Sequence, residues 1–170
     1  MKPKYTIALL AALALPNFAF GEKDDKPVKF EELPAAVAKA IKDAAGDAKL
    51  EKIVLGDEDG TPAYEAAWDA NGHKHEIAVA TDGSVLGLEE IITLAEAPEL
   101  VRAAITKEAG GNKVIEVEKV LEKGKTTYEA TIKKGKTKEA VSFSEDGKVL
   151  ERENPDAKKT EKKEKGEDKD

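Results

Sequence analysis

The chain contains no cysteine. That excludes disulfides, thiolate metal sites, a cysteine nucleophile and a lipid-modified cysteine anchor. Aromatic residues make up only 5 %, so a core must be built mainly from Ala, Val, Ile and Leu. Positive charge is outweighed, 28 Lys and Arg against 35 Asp and Glu, and the formal net charge over 170 residues is −7. A nucleic-acid binder relies on clustered Lys and Arg to neutralise phosphates, so no nucleic-acid partner is expected. There is no glycine-rich phosphate loop, nucleophile elbow or metalloprotease helix motif. Serine and histidine are too few or wrongly placed for a triad. The sequence therefore reads as a protein that is not an enzyme, and it implies no cofactor.

One apolar run stands out, at Ile7–Leu15, preceded by Lys2 and Lys4 and broken by Pro16. Ala19 and Gly21 put small residues at the −3 and −1 positions of a cleavage site. This is the pattern of a secretory signal peptide over residues 1–21. The run is too short for an ordinary membrane-spanning helix. No second run follows, so no membrane span is expected after cleavage. The expected location is periplasmic or secreted.

The rest of the chain resembles itself at an offset of 64 residues. Tyr64-Glu65-Ala66 returns as Tyr128-Glu129-Ala130, and Asp82-Gly83 returns as Asp146-Gly147. Pro34, Val37, Ala40, Ile41, Ala45 and Gly46 return as Pro98, Val101, Ala104, Ile105, Ala109 and Gly110. Matched punctuation and matched hydrophobic spacing in one register predict tandem repeats. Their expected bounds are 22–90 and 91–153, followed by a disordered Lys/Glu-rich tail at 154–170, where too little apolar surface exists to offset ordering entropy.

Each repeat predicts one helix and a meander of about four strands, an α+β class. Leu33, Val37, Ala40, Ile41 and Ala44 fall at helical spacing, with Pro34 suited to the first turn and Gly46 to the stop. In the second repeat Val101, Ala104 and Ile105 make the stripe, and Glu108 narrows it. Alternation predicts strands at Leu50–Leu55, Ala63–Asp69 and His73–Ala80, with a short fourth around Val85 and Leu86. Asn71-Gly72 is a strong two-residue hairpin signal. The second set is Val114–Leu121, Thr127–Lys133, Thr137–Phe143 and Lys148–Leu150. The connection from Leu88 to Glu96 is short, which favours close packing of the two halves.

Side chains alternate across a strand, so Tyr64, Ala66 and Trp68 share one face, and His75, Ile77 and Val79 another strand's matching face. These suit the helix stripe. A helix covers only one side of a sheet, and the other side is left open. In this chain it carries Glu65, Ala67, Lys74 and Glu76, then Glu129, Thr131, Lys133 and Lys138. Small residues interleaved with charge make a plain wet surface or a shallow docking surface for a protein or peptide partner. An edge strand offers a second route, by strand addition.

With Leu33-Pro34, Val37, Ala40-Ile41, Tyr64-Glu65-Ala66 and Asp82-Gly83-Ser84-Val85-Leu86 on the page, the chain resembles the PepSY-like family, also described as β-lactamase-inhibitor-like. The resemblance covers about Lys26–Glu153. It implies an exported protein that acts by binding or inhibition, including inhibition of peptidases, and it brings no catalytic residues.

Three other readings compete. A structural envelope protein would bridge partners and inhibit nothing. A metal-responsive protein would use His73 and His75, which lie two apart on one strand, but Glu76 points to the opposite face and no third ligand follows. Asp57, Asp59 and Gly60 share part of a calcium-loop pattern, yet the acids such a loop needs near Leu55 and Ala66 are missing. Trp68 reads as a core anchor beside Tyr64, with an interface hot spot as the alternative.

Overall fold

The computed structural model describes residues 26–58 and 61–154. The expected leader, the tail beyond Asn154, and Asp59 and Gly60 lie outside these residues. The elements run β1 (Lys26–Pro27), a 3-10 turn at Phe30–Glu32, α1 (Ala35–Ala45), β2 (Leu50–Glu58), β3 (Thr61–Ala70), β4 (His73–Ala80) and β5 (Val85–Ile92). Then come α2 (Glu99–Ala109), β6 (Lys113–Glu122), β7 (Lys125–Lys134), β8 (Thr137–Ser144) and β9 (Val149–Glu153).

The strands form one nine-stranded sheet in strict sequence order, and every neighbouring pair is antiparallel. This corrects the expected α+β chain of two tandem repeats, each a helix on its own meander. The chain is mostly β, with two helices of 11 residues. The physical reason lies in β5. It does not stop after Leu86 but runs on to Ile92 and pairs along β6, from Gly87 opposite Glu122 to Ile92 opposite Val117. Residues read as a connection thus carry the ladder that fuses the two halves. Glu90 and Ile91, on either side of the expected boundary, are consecutive residues of one strand.

Both helices lie on the same face of this sheet. Pro34 and Pro98 stand just before them rather than inside the first turn, and their carbonyls accept the first helical bonds from Ala38 and Arg102. The apolar stripe of α1, Val37 and Ile41, is buried with Ile53, Ala66, Trp68, Ile77 and Val79. That of α2, Val101 and Ile105, is buried with Val117, Tyr128, Ala130, Ile132, Val141 and Phe143. β5 serves both clusters, giving Leu88 to the first and Ile92 to the second. Full burial of such aliphatic side chains contributes roughly 1.5–3 kcal/mol each. An ion pair of Arg152 with Glu108, 3.0 Å apart, ties α2 to β9.

The two Asp-Gly turns press on the helix starts. A Cβ on Gly83, where φ is +91°, would stand 2.6 Å from the Ala36 Cβ. One on Gly147, where φ is +76°, would stand 2.6 Å from the Leu100 carbonyl oxygen. Glycine is needed at both turns for its conformation and for the close approach of the helix. The Asp82 carboxylate accepts the Ser84 N–H at 2.8 Å, closing the first turn. Among the described residues no helix is long and apolar enough to cross a membrane.

Candidate binding face

Neither helix packs on the second face of the sheet. Strand register places Glu65, Ala67, Lys74 and Glu76 there on β3 and β4, and Glu129, Thr131, Lys133 and Lys138 on β7 and β8. This face is drier than a plain wet surface. Ala67, Glu129 and Thr131 are buried, Glu65, Glu76 and Lys138 are partly buried, and only Lys74 and Lys133 are exposed. Val54, Ala63, Ala140 and Ser142 on the same face are buried too.

The middle of the face was hidden from sequence reasoning, because it belongs to β5 and β6, whose pairing is not local. Register brings two rows together there. Ala67 faces Glu76, Glu76 faces Glu89, and Glu89 faces Val120. Beside it, Ile91 faces Glu118, Glu118 faces Glu129, and Glu129 faces Ser142. Glu116 flanks Glu118 on β6 and faces Thr131. Five carboxylates on four successive strands therefore meet at the centre, with like charges directly opposite twice over. Such pairs weaken a sheet. The signal for β6 was present in its alternation: Glu116 and Glu118 lie two apart, on the side opposite Val117.

The electrostatics follow from burial. Glu118 is 6 % exposed and makes no hydrogen bond with any described residue. Desolvation, then the charges of Glu89, Glu129, Glu116 and Glu76, push its carboxyl well above the ordinary range. Glu129 is 8 % exposed and accepts a bond from the Ser142 hydroxyl at 3.2 Å. Burial is again the main cause that lifts it, to about 7, against the lowering effect of that bond. Burial raises Glu116 as well, opposed by Lys138. Its Oε1 is buried with no hydrogen-bond partner. Basic residues stand toward the margins, where Lys74 lies 3.7 Å from Glu51 and 3.6 Å from Asp69. The face is thus a carboxylate centre with lysines at its rim.

The other sequence candidates are placed differently. His73 and His75 lie on the helix side. The His73 ring binds the Ile91 carbonyl oxygen through Nδ1 at 2.8 Å and faces Glu96 through Nε2 at 3.2 Å. His75 stacks on Trp68, with ring centroids 5.5 Å apart and planes 8° from parallel. Trp68 is 3 % exposed, in the first core cluster. Of the calcium-loop candidates, Asp57 belongs to β2, and Asp59 and Gly60 lie outside the described residues. Among those residues, no group of three His, Cys, Asp or Glu is arranged to hold a metal.

The fold is similar to that of several solved proteins. A protein from Bacteroides eggerthii described as periplasmic shares 22 % identity at a TM-score of 0.62, covering 72 % of this chain and 88 % of its own. A DUF2874 family protein from Bacteroides ovatus shares 17 % at 0.62, covering 72 % and 87 %. A BLIP-like protein from Bacteroides fragilis shares 21 % at 0.60, covering 72 % and 86 %. The likeness is to a BLIP-like fold, and it supports neither PepSY membership nor a tandem-repeat organisation. No family model matches the chain, and no curated protein matches it.

Proposed function

We propose that this chain is an exported, non-catalytic binding module that holds a protein partner on the uncovered face of its sheet, and that the partner is a hydrolase, such as a peptidase, which it inhibits or regulates. The observation that carries this reading is the buried carboxylate centre on a face that no helix covers. Within it, Glu116 Oε1 is buried without a hydrogen-bond partner, and such a group is costly in the free protein. A bound partner can offset that cost. The periplasmic placement agrees in two sources, the leader read from the sequence and the description of the Bacteroides eggerthii neighbour. The BLIP-like name of the Bacteroides fragilis neighbour supports an inhibitor-like role.

The face is favoured over strand addition by the state of the two edges. β1 has two residues, one of them Pro27. β9 has five, including Glu151, Arg152 and Glu153. Short, charged or proline-bearing edges are what proteins use to prevent added pairing.

A photo-crosslinking amino acid at Thr127, on the uncovered face, and another at Ala103, on the exposed side of α2, test the reading. The mature protein is incubated with envelope and secreted extract from its source. Capture of one hydrolase from Thr127 alone, followed by saturable inhibition or activation of that enzyme, is expected. Capture from Ala103 alone, or of an envelope assembly with no effect on any hydrolase, transfers the assignment to the structural reading.

A further inference from the structure

We propose that the opposed pair Glu118 and Glu129 is a proton-operated switch for the uncovered face: the face holds its protein partner while the pair carries a proton and releases it when both carboxyls ionise. This rests on the reading of that face as the binding surface and adds how the site is regulated.

Glu118 on β6 and Glu129 on β7 are directly opposite in register, and they are only 6 % and 8 % exposed. Directly opposite residues carry Cβ atoms about 4.5–5.5 Å apart, so the two carboxyls share one site. Two buried carboxyls that share a site cannot both ionise cheaply, and they bind their protons as a pair. Ile91 on β5 faces Glu118, while Ser142 on β8 faces Glu129 and donates its hydroxyl to it at 3.2 Å. The charges that oppose ionisation of Glu118 come from Glu89 on β5, Glu129 on β7, Glu116 along β6 and Glu76 on β4. Those that oppose ionisation of Glu129 come from Glu153 and Glu151 on β9 and from Glu116. Of the basic residues, Lys133 on β7 and Lys138 on β8 face each other toward the rim, and Lys138 acts on Glu116. Glu76, Glu89, Glu153 and Lys138 have interactions of their own, so the switch rests on the opposed pair and not on the net charge of the whole centre.

In the unbound protein the small exposure that remains lets water reach the ionised pair. A partner seated on the face removes that water, and desolvation disfavours charge. The covered pair therefore keeps its proton to a higher pH than the uncovered pair. Burial already lifts Glu129 to about 7 before any partner arrives. At and above neutrality the complex thus carries more protons than its separated parts. Affinity rises as pH falls through about 7 and levels off in more acid solution. A partner that placed a cation on the pair would give the opposite slope.

A display library of loops built without Asp, Glu, His, Lys, Arg, Cys or Tyr, panned on the mature protein at about pH 6, tests the switch without knowledge of the natural partner. Remade as head-to-tail cyclic peptides, such loops do not titrate, so any pH dependence of their affinity comes from the protein. Enriched loops are expected to crosslink to Thr127 and to bind about tenfold more tightly at about pH 6 than at about pH 8. Glu118→Gln with Glu129→Gln mimics the protonated pair, and should bind in the alkaline buffer as tightly as the unsubstituted protein binds in the acid one. Glu129→Gln alone should recover part of that affinity. Glu99→Gln, on the exposed start of α2, removes a charge elsewhere and should keep the full slope. Thermal melting in both buffers shows that each protein is folded. Loops that crosslink to Thr127 with equal affinity in the two buffers, with tighter binding in the alkaline one, or with a slope that survives both substitutions overturn the switch and leave the face reading standing. Loops that crosslink only to Ala103, or no enrichment at all, overturn both.

Discussion

Glu118 on β6 and Glu129 on β7 stand directly opposite one another on the uncovered face, both buried, and the charges that act most on each are other carboxylates. A sheet that keeps such a pair retains a group that is easier to protonate in the folded than in the unfolded state.

The first consequence is a dependence of stability on pH. The Glu129 carboxyl rises from 4.5 to about 7 on folding, and Glu118 and Glu116 rise in the same direction. The folded state therefore binds more protons between these values. Its contribution to stability is fully present below about pH 4.5 and is lost as pH rises through about 7. Asp146, held at about 2 by its bond from Lys148 and then by Ser144, acts with the opposite sign, and only at the acid end. Urea titrations from pH 5 to 8 should show a falling midpoint. Glu129→Gln and Glu118→Gln should each flatten that fall and raise the midpoint at pH 8. A flat profile in the unsubstituted protein would mean that these carboxyls are solvated.

The turn glycines separate two kinds of strain. Gly124 has φ +75° and open space around a Cβ, whereas Gly147 has φ +76° and the Leu100 backbone in the way. Gly124→Ala should cost about 1–2 kcal/mol from conformation. Gly147→Ala should cost about 1–3 kcal/mol more, because the start of α2 must shift. Equal losses in chemical denaturation would show that the turn and the helix are not in contact.

Because β5 contributes to both core clusters, the two halves should unfold together. Phe143→Ala, in the second cluster, should cost about 3–5 kcal/mol, and Ile41→Ala, in the first, about 2–5 kcal/mol. Each should shift one common transition. Trp68 is the single tryptophan and sits in the first cluster, so its fluorescence should report the Phe143→Ala loss in full. A Trp68 transition that ignores Phe143→Ala would show two independent halves.

The stacked pair predicts a modest effect at His75. Removing the ring that lies on Trp68 should cost about 0.5–1.5 kcal/mol and should change the Trp68 emission of the folded protein. His75→Phe should restore most of the stability. Unaltered emission in His75→Ala would contradict the stacking.

Local elements were largely readable from the chain, because their signals are local. The Val37/Ile41 and Val101/Ile105 stripes, Asn71-Gly72 and the Asp-Gly turns all act within a few residues. His73–Ala80 is a strand at the expected bounds. The architecture was not readable in the same way. Leu88 to Ile92 reads Leu-Glu-Glu-Ile-Ile, without the alternation of a strand, its partner β6 lies beyond a helix, and no spacing rule announces that pairing. The same gap concealed Glu89, Glu116 and Glu118. The outer parts of the face, Glu65 and Ala67 or Lys133 and Lys138, could be assigned from hairpins alone. The centre depends on which strand lies next to which.

The strict sequence order of the strands also governs how the molecule can assemble. Each strand finds its partner in the segment just made or just delivered, so ladders close over short loops and little chain entropy is spent on distant searches. Two junctions, β1–β2 and β5–β6, must wait for a helix to be placed between their strands. A chain that crosses a membrane unfolded can begin to assemble from whichever end arrives first, and the β5–β6 ladder is then the step that commits both halves to a single structure.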